Sequence, residues 1–297
     1  MSPQQRARWL PVLCLTSAMV LWASSFIALK LAFKGYDPML VIWGRMLVGS
    51  FCFAFLVPQL RNFTYRRGDA KYLLFMAICE PCIYFIFEAK ALQLTSASQA
   101  GMITAMLPLL VAFGAMAFLK EKVTRQTLTG FGVAIAGTCW LSLAADASTD
   151  APQPLLGNFH EFLAMVAAAG YTLSLKHLSA RYSPFFLTAV QCWVGALFFA
   201  CFLVSPDINL PREFHLVPAL AVLYLGSCVT LGAYLLYNYG VSQIPASQAS
   251  AYINLIPVFT VILGFLILGE RFTPSQYVAS ALVLYGVYLS QRRPRPL

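Results

Sequence analysis

The sequence predicts an all-α membrane protein with ten transmembrane helices arranged as two inverted five-helix repeats. Three observations lead there. Hydrophobic residues make up 60% of the 297-residue chain and charged residues only 10%, against roughly 45–50% and 25% in a soluble domain. Ten apolar runs have the length, about 20 residues, that crosses about 30 Å of hydrocarbon. The chain also repeats itself: Ser98-Gln99-Ala100, Pro108 and Glu121-Lys122-Val123-Thr124 return as Ser247-Gln248-Ala249, Pro257 and Glu270-Arg271-Phe272-Thr273, always 149 residues later.

The runs are, in order, 9–32, 38–58, 71–92, 97–118, 126–144, 158–178, 184–204, 216–240, 246–268 and 275–291. Arg6 and Arg8 before the first run imitate a secretory leader. The run itself exceeds the roughly 7–15 residues of a signal core, so an uncleaved span is expected. The longest loop, 145–157, is rich in Ala, Asp and Pro and reads as a linker. It separates a first repeat, 1–150, from a second, 151–297. Nothing in the pattern suggests an added soluble domain.

A second repeated block covers the front of each half. Lys30, Tyr36, Pro38 and Gly49 return 146 residues later as Lys176, Tyr182, Pro184 and Gly195. Five spans per half is an odd number, so the second half must enter the bilayer from the opposite face. Inverted copies are then related by an axis in the membrane plane, and substrate sites in such folds lie near the midplane between them.

Lys and Arg placement gives the orientation, because cytoplasmic loops carry the excess. With the N-terminus inside, the inner side holds 14: Arg6, Arg8, Arg61, Arg66, Arg67, Lys71, Lys120, Lys122, Arg125, Lys176, Arg181, Arg292, Arg293 and Arg295. The outer side holds 5: Lys30, Lys34, Lys90, Arg212 and Arg271, with Arg45 inside a span. Both termini are therefore expected in the cytoplasm. The formal net charge of +9 follows from this bias and from attraction to anionic lipid, and calls for no nucleic-acid partner.

Ala97-Ser98-Gln99-Ala100, Leu107-Pro108, Leu119-Lys120-Glu121-Lys122 and Thr124 pair with Ala246-Ser247-Gln248-Ala249, Ile256-Pro257, Leu268-Gly269-Glu270-Arg271 and Thr273. In these residues the chain resembles the two EamA repeats of the drug/metabolite transporter superfamily, over essentially its whole length. In length and aromatic content it is most similar to bacterial aromatic amino-acid exporters. The resemblance implies ten helices, cytoplasmic termini in a bacterial inner membrane, and a central cavity lined mainly by spans 1, 3, 4, 6, 8 and 9.

The residues suggest where a substrate sits. Span 9 carries Ser247, Ser250, Asn254 and Pro257 on one face, and span 4 carries Ser98, Gly101, Ala105 and Pro108 at equivalent places. A polar stripe should face protein or water rather than lipid. Pro108 and Pro257 cannot donate to the carbonyls of Thr104 and Ile253, which leaves those free for a substrate amine. Alternatively, the prolines and small residues only allow a kink and close packing. Asn254 places a full amide near mid-membrane and is a candidate ligand.

Span 3 carries Glu80, Tyr84 and Glu88 at four-residue spacing on one face. Arg45 in span 2 needs a partner at its depth; Glu88 lies at a similar depth and is the expected one, with the deeper Glu80 as the alternative. The pair reads as a structural tie, and the remaining Glu as a proton-titrating or amine-binding group. Trp22 and Phe26, Tyr84, Tyr171, Tyr234 and Tyr252 line up in depth, with Ser25 and Tyr171 at equivalent repeat positions. They suit a cavity for large apolar side chains. Tyr237 reads as part of an interfacial belt. The expected substrate site is thus Trp22, Ser25, Tyr84, Glu88, Tyr171, Tyr234 and Asn254.

Other signals carry less. Cys79-Glu80-Pro81-Cys82 has C-x-x-C spacing but lies within a span, without the context of a redox or metal site. The three His share no ligand spacing. Glu121 and Glu270 lie at span ends beside basic residues, where capping or salt bridging is expected. Gly130, Gly132 and Gly137 match Ala279, Ala281 and Gly286, a small-residue face for helix packing between halves or between protomers. No phosphate-binding loop or catalytic constellation is present, so no cofactor, metal or enzyme activity is expected.

The expectation is a secondary transporter, monomeric or weakly dimeric, that exports small metabolites. Amino acids, large apolar ones first, are the leading substrate class. Drugs, other metabolites, sugar phosphates and nucleotide sugars are alternatives; the phosphorylated ones favour several cavity Lys or Arg, and only Arg45 is deep. A membrane-embedded lipid enzyme would need an acid–base cluster at a membrane surface, which is not found.

Overall fold

The computed structural model describes residues 3–55, 66–119, 125–206, 208–211 and 213–291. Among them the chain is helical, with an isolated antiparallel bridge between Ser148 and Ala151. This follows from the composition, because backbone groups in hydrocarbon must pair within their own segment.

The helical segments follow the ten apolar runs. They are α1 (Pro3–Phe33), α2 (Pro38–Phe55), α3 (Ala70–Leu94), α4 (Ala97–Leu119), α5 (Arg125–Leu143), α6 (Pro154–Leu178), α7 (Pro184–Val204), α8 (Leu216–Gln243), α9 (Ala246–Leu268) and α10 (Pro274–Gln291). Six are long and apolar enough to cross a membrane by length and composition: those spanning Trp9–Phe33, Ala70–Leu94, Ala97–Ala117, Pro184–Val204, Leu216–Gln243 and Gln248–Leu268. The run Pro38–Ala54 is a shorter apolar helix. Large apolar side chains such as Phe51, Leu197 and Leu266 are exposed on the outside, a surface that suits lipid rather than water.

Several helices are broken where proline or packing demands it. Pro108 has no N–H for the Thr104 carbonyl, and the chain tightens into a 3₁₀ turn at Thr104–Met106. Pro257 does the same to α9, with a 3₁₀ turn at Tyr252–Asn254. The carbonyls expected to be free are not: the Leu107 N–H turns to Thr104 O, and the Leu255 N–H to Tyr252 O and Ile253 O. Tightening to 3₁₀ geometry re-pairs them locally. A third break, over Ile78–Ile83, contains Pro81 and puts the preceding Glu80 at φ −147°, ψ 116°.

The two halves exchange partners in a matched way. Helix α1 packs on α8 and α9 of the second half, while α6 packs on α3 and α4 of the first. Helix α2 lies against α7 and α8, and α5 against α10. Small residues set the last contact: a Cβ at Gly137 would come within 2.7 Å of Val283 N. The small-residue face therefore joins the halves. Gly132 takes no part, with open space where its Cβ would be.

The linker is shorter than expected, because α6 begins at Pro154 rather than 158. Proline at the first helical position needs no N–H partner and starts the helix early. Lys30 Nζ donates to Asp150 O at 2.6 Å and Gln153 N to Leu94 O at 3.1 Å, so the linker is tied to the first half. At the opposite end of α3 and α6, Arg181 Nη1 donates to Asp69 Oδ1 at 2.5 Å and Tyr182 Oη to Asp69 Oδ2 at 3.1 Å. The Arg181 hydrogen bond, helped by Tyr182, holds the Asp69 carboxyl below its ordinary range.

Candidate functional site

The site is built around the break in α3. Pro81 interrupts the helix, and the Glu80 carbonyl is met instead by Gln191 Nε2 of α7 at 3.2 Å. Glu80 Oε1 accepts from Tyr234 Oη of α8. Below the break α3 becomes regular again, which sends Tyr84 and Glu88 to the same side. Tyr84 Oη donates to Glu88 Oε1 at 3.0 Å. Arg45 of α2 reaches in from the side: Nη1 lies 3.7 Å from Glu88 Oε2, Nε donates to Thr230 Oγ1 at 3.0 Å, and the guanidinium sits 4.2 Å from the Phe85 ring centre.

Opposite these charges is an aromatic wall. The Trp22 ring packs edge-on to Tyr234 at 5.3 Å and tilted on Tyr237 at 4.7 Å; Tyr171 lies 6.3 Å from both tyrosines. A buried amide holds the wall. Tyr171 Oη donates to Asn238 Oδ1 at 2.5 Å, and Asn238 Nδ2 donates to Thr188 Oγ1 at 2.8 Å and Gln191 Oε1 at 3.3 Å. One network thus connects α6, α8 and α7 to the Glu80 carbonyl.

Charged and aromatic sides enclose a cavity with about 490 Å³ of non-atom space, counting the part open to solvent. Its walls come from α1, α2, α3, α4, α6, α8 and α9, and therefore from both halves of the chain. An apolar, aromatic pocket with a few convergent polar groups is the usual form of a small-molecule site.

The EamA-like transporter family matches the chain twice, over residues 9–143 and 155–291. The chain belongs to this family. It is a multi-pass membrane transporter, not an enzyme. Relatives include the "Uncharacterized transporter YetK" of Bacillus subtilis (strain 168), 27% identical over 93% of this chain and 85% of that one. A "Probable terminal-alkyne amino-acid exporter" of Streptantibioticus cattleyicolor is 26% identical over 95% and 93%. An "S-adenosylmethionine/S-adenosylhomocysteine transporter" of Chlamydia muridarum is 25% identical over 91% and 87%. A solved crystal structure, 18% identical, superposes with a TM-score of 0.67 over 95% of this chain and 96% of that one; at that identity the likeness speaks for the fold alone.

In this EamA-like transporter, six of the seven expected site residues line the cavity: Trp22, Ser25, Tyr84, Glu88, Tyr171 and Tyr234. Asn254 does not. The 3₁₀ turn resets the facing of α9, so Ile253 and Ile256, three apart, present to the cavity instead. Asn254 Oδ1 is buried elsewhere, without a hydrogen-bond partner among the described residues. The Ser25 hydroxyl is turned back on Trp22 O at 2.7 Å. Tyr237 is no interfacial residue: it is buried, faces the cavity and lies 3.3 Å from Thr172 Oγ1. None of the stripe residues Ser98, Gly101, Ala105 and Pro108 of α4 lines the cavity: Gly101 packs against Thr260, and the cavity is met instead by Thr104 and Leu107.

Glu270 caps a distant helix rather than its own end. Its Oε1 and Oε2 accept from Ala97 N and Ser98 N, both at 2.8 Å, at the start of α4. Such a carboxylate pairs orphan N–H groups and faces the positive end of the helix dipole. Glu121, its repeat counterpart, lies outside the described residues. The sequence reading also overlooked Glu161 and the Asn238 hub. A span starting at 158 places Glu161 in its first turn; the earlier start of α6 at Pro154 puts it two turns deep.

Proposed function

We infer that the protein is a secondary transporter that exports amino acids, preferring large apolar or aromatic side chains. The observation that carries this is the buried Arg45–Glu88 pair facing an aromatic cavity. Arg45 Nη1 has no hydrogen-bond partner among the described residues and is too far from Glu88 for one. A zwitterion lying on the cavity side of the pair, with its carboxylate on Arg45 and its ammonium on Glu88, satisfies both. Trp22, Tyr171, Tyr234 and Tyr237 then hold the side chain. The amino-acid exporter among the relatives supports the same class.

The ammonium ligands suggested by the sequence, Asn254 and the Ile253 carbonyl, are replaced in this reading by Glu88. The matched exchange of partners between the halves supports two inverted five-helix repeats, 1–150 and 151–297, that rock around the cavity in alternating access. The Lys and Arg bias supports ten crossings of an inner membrane with both termini in the cytoplasm.

Counterflow tests the reading. Purified protein in liposomes preloaded with unlabelled phenylalanine, methionine or threonine should take up the same labelled amino acid faster than empty liposomes do. Uptake of hexose phosphate, with none of these amino acids, would overturn the substrate class.

A further inference from the structure

We propose that Glu161 of α6 is the proton-carrying residue of this transporter and couples export to proton influx. The proposal rests on the amino-acid reading above and adds a driving ion to it.

Glu161 is fully buried, and neither carboxylate oxygen has a hydrogen-bond partner among the described residues. An isolated buried carboxylate is costly as an anion and is held instead as the neutral acid or beside a cation. Helical spacing places Glu161 one turn from Met165 and on the same side as Ala168 and Thr172, which line the cavity. It lies toward the α6 end that carries the linker, beyond the Glu88 side of the site.

Among the described residues, the charges around it leave it without a counter-ion. From α3, Glu88 and Tyr84 bear on it, with Glu80 deeper. Helices α4, α8 and α9 carry no Asp, Glu, Lys or Arg, and α5 carries only Arg125 at its first position. Tyr234 and Tyr237 of α8 are turned to the cavity. Among the described residues, Glu80, Glu88 and Glu161 thus share one buried cation, Arg45, and Arg45 is drawn to Glu88.

Proton balance follows from this arrangement. When a substrate ammonium sits on Glu88 from the inside, the added positive charge lets Glu161 ionise, and its proton leaves to the cytoplasm. When the substrate departs outward, the uncompensated carboxylate takes a proton from outside. One proton moves in for each zwitterion moved out, and no other reactant is needed.

The test uses full-length protein in vesicles of phosphatidylethanolamine and phosphatidylglycerol, with potassium and valinomycin holding the membrane potential at zero. Vesicles about one pH unit more acidic inside should accumulate labelled phenylalanine, with a ceiling of roughly tenfold for a one-to-one exchange. Glu161→Gln should lose this accumulation entirely and keep counterflow, with a few-fold weaker substrate affinity. Accumulation by Glu161→Gln overturns the proposal. So does a wild-type protein that performs counterflow but never accumulates, a result that leaves the amino-acid reading intact. Loss of counterflow in a well-folded Glu161→Gln also overturns it, since Glu161 would then be a substrate ligand. Should Glu161→Gln fail to fold, Glu161→Asp should accumulate substrate with a shifted pH profile; an unshifted profile overturns the proposal.

Discussion

Arg45 Nη1 lies 3.7 Å from Glu88 Oε2, with 2% and 4% of the two side chains exposed. Two opposite charges are buried at a distance that attracts without a hydrogen bond. Removing one partner leaves the other charge bare, a loss of about 3–5 kcal/mol. Arg45→Ala and Glu88→Gln should each lower the yield of folded protein, and the double variant should recover part of it. The recovered protein should still fail in counterflow, because both ends of the zwitterion lose their ligands. Additive losses of yield would dissolve the pair; transport by the double variant would remove it from the site.

Tyr171 has two separable roles. Its ring helps form the aromatic wall, and its hydroxyl donates to Asn238. Tyr171→Phe should keep substrate preference and lower stability by about 1–3 kcal/mol, since Asn238 Oδ1 loses its donor. Tyr171→Ala should change the ranking of phenylalanine, methionine and threonine in counterflow more than it changes the total rate. An unchanged ranking would argue that the ring does not meet the side chain.

Glu270 ties the end of α9 to the start of α4. Glu270→Ala should cost about 1–2 kcal/mol, the usual effect of losing a charged cap. Glu270→Gln should lose less, because the amide oxygen still accepts one N–H. Melting curves in detergent that place the Gln variant at or below the Ala variant would contradict the cap.

Asp69 gives a pH dependence. Its folded carboxyl is held below the ordinary range by Arg181 and Tyr182. Stability from this contact is therefore fully present above the ordinary Asp value of about 3.9, and is lost as pH falls through the lower folded value. The Tm difference between wild type and Asp69→Asn should be constant from neutral pH to about 5 and shrink below about 4. A difference that grows on acidification would have the wrong sign.

Orientation is checked with single cysteines on a Cys-free background. Ser148→Cys in the linker should label from outside in intact cells, while Ala180→Cys between α6 and α7 should not. The reverse pattern would invert the orientation, leaving the fold unchanged.

Helix positions, the family and a core of six cavity residues were legible in the sequence, because they depend on local quantities. Apolar run length sets a span, four-residue spacing puts Glu80, Tyr84 and Glu88 on one face, and the repeat offsets align Ser25 with Tyr171. Where chain geometry departs from a regular helix, that spacing fails. The 3₁₀ turn before Pro257 turned Asn254 away and Ile253 and Ile256 in, and an α6 that starts at Pro154 took Glu161 below the surface. Most choices of partner were also beyond the sequence. The Arg45–Glu88 pair was legible from matching depth, but Glu270 caps α4 and Asn238 joins three helices, each across more than 40 residues of chain. Such contacts follow from how whole helices pack, which no local pattern encodes.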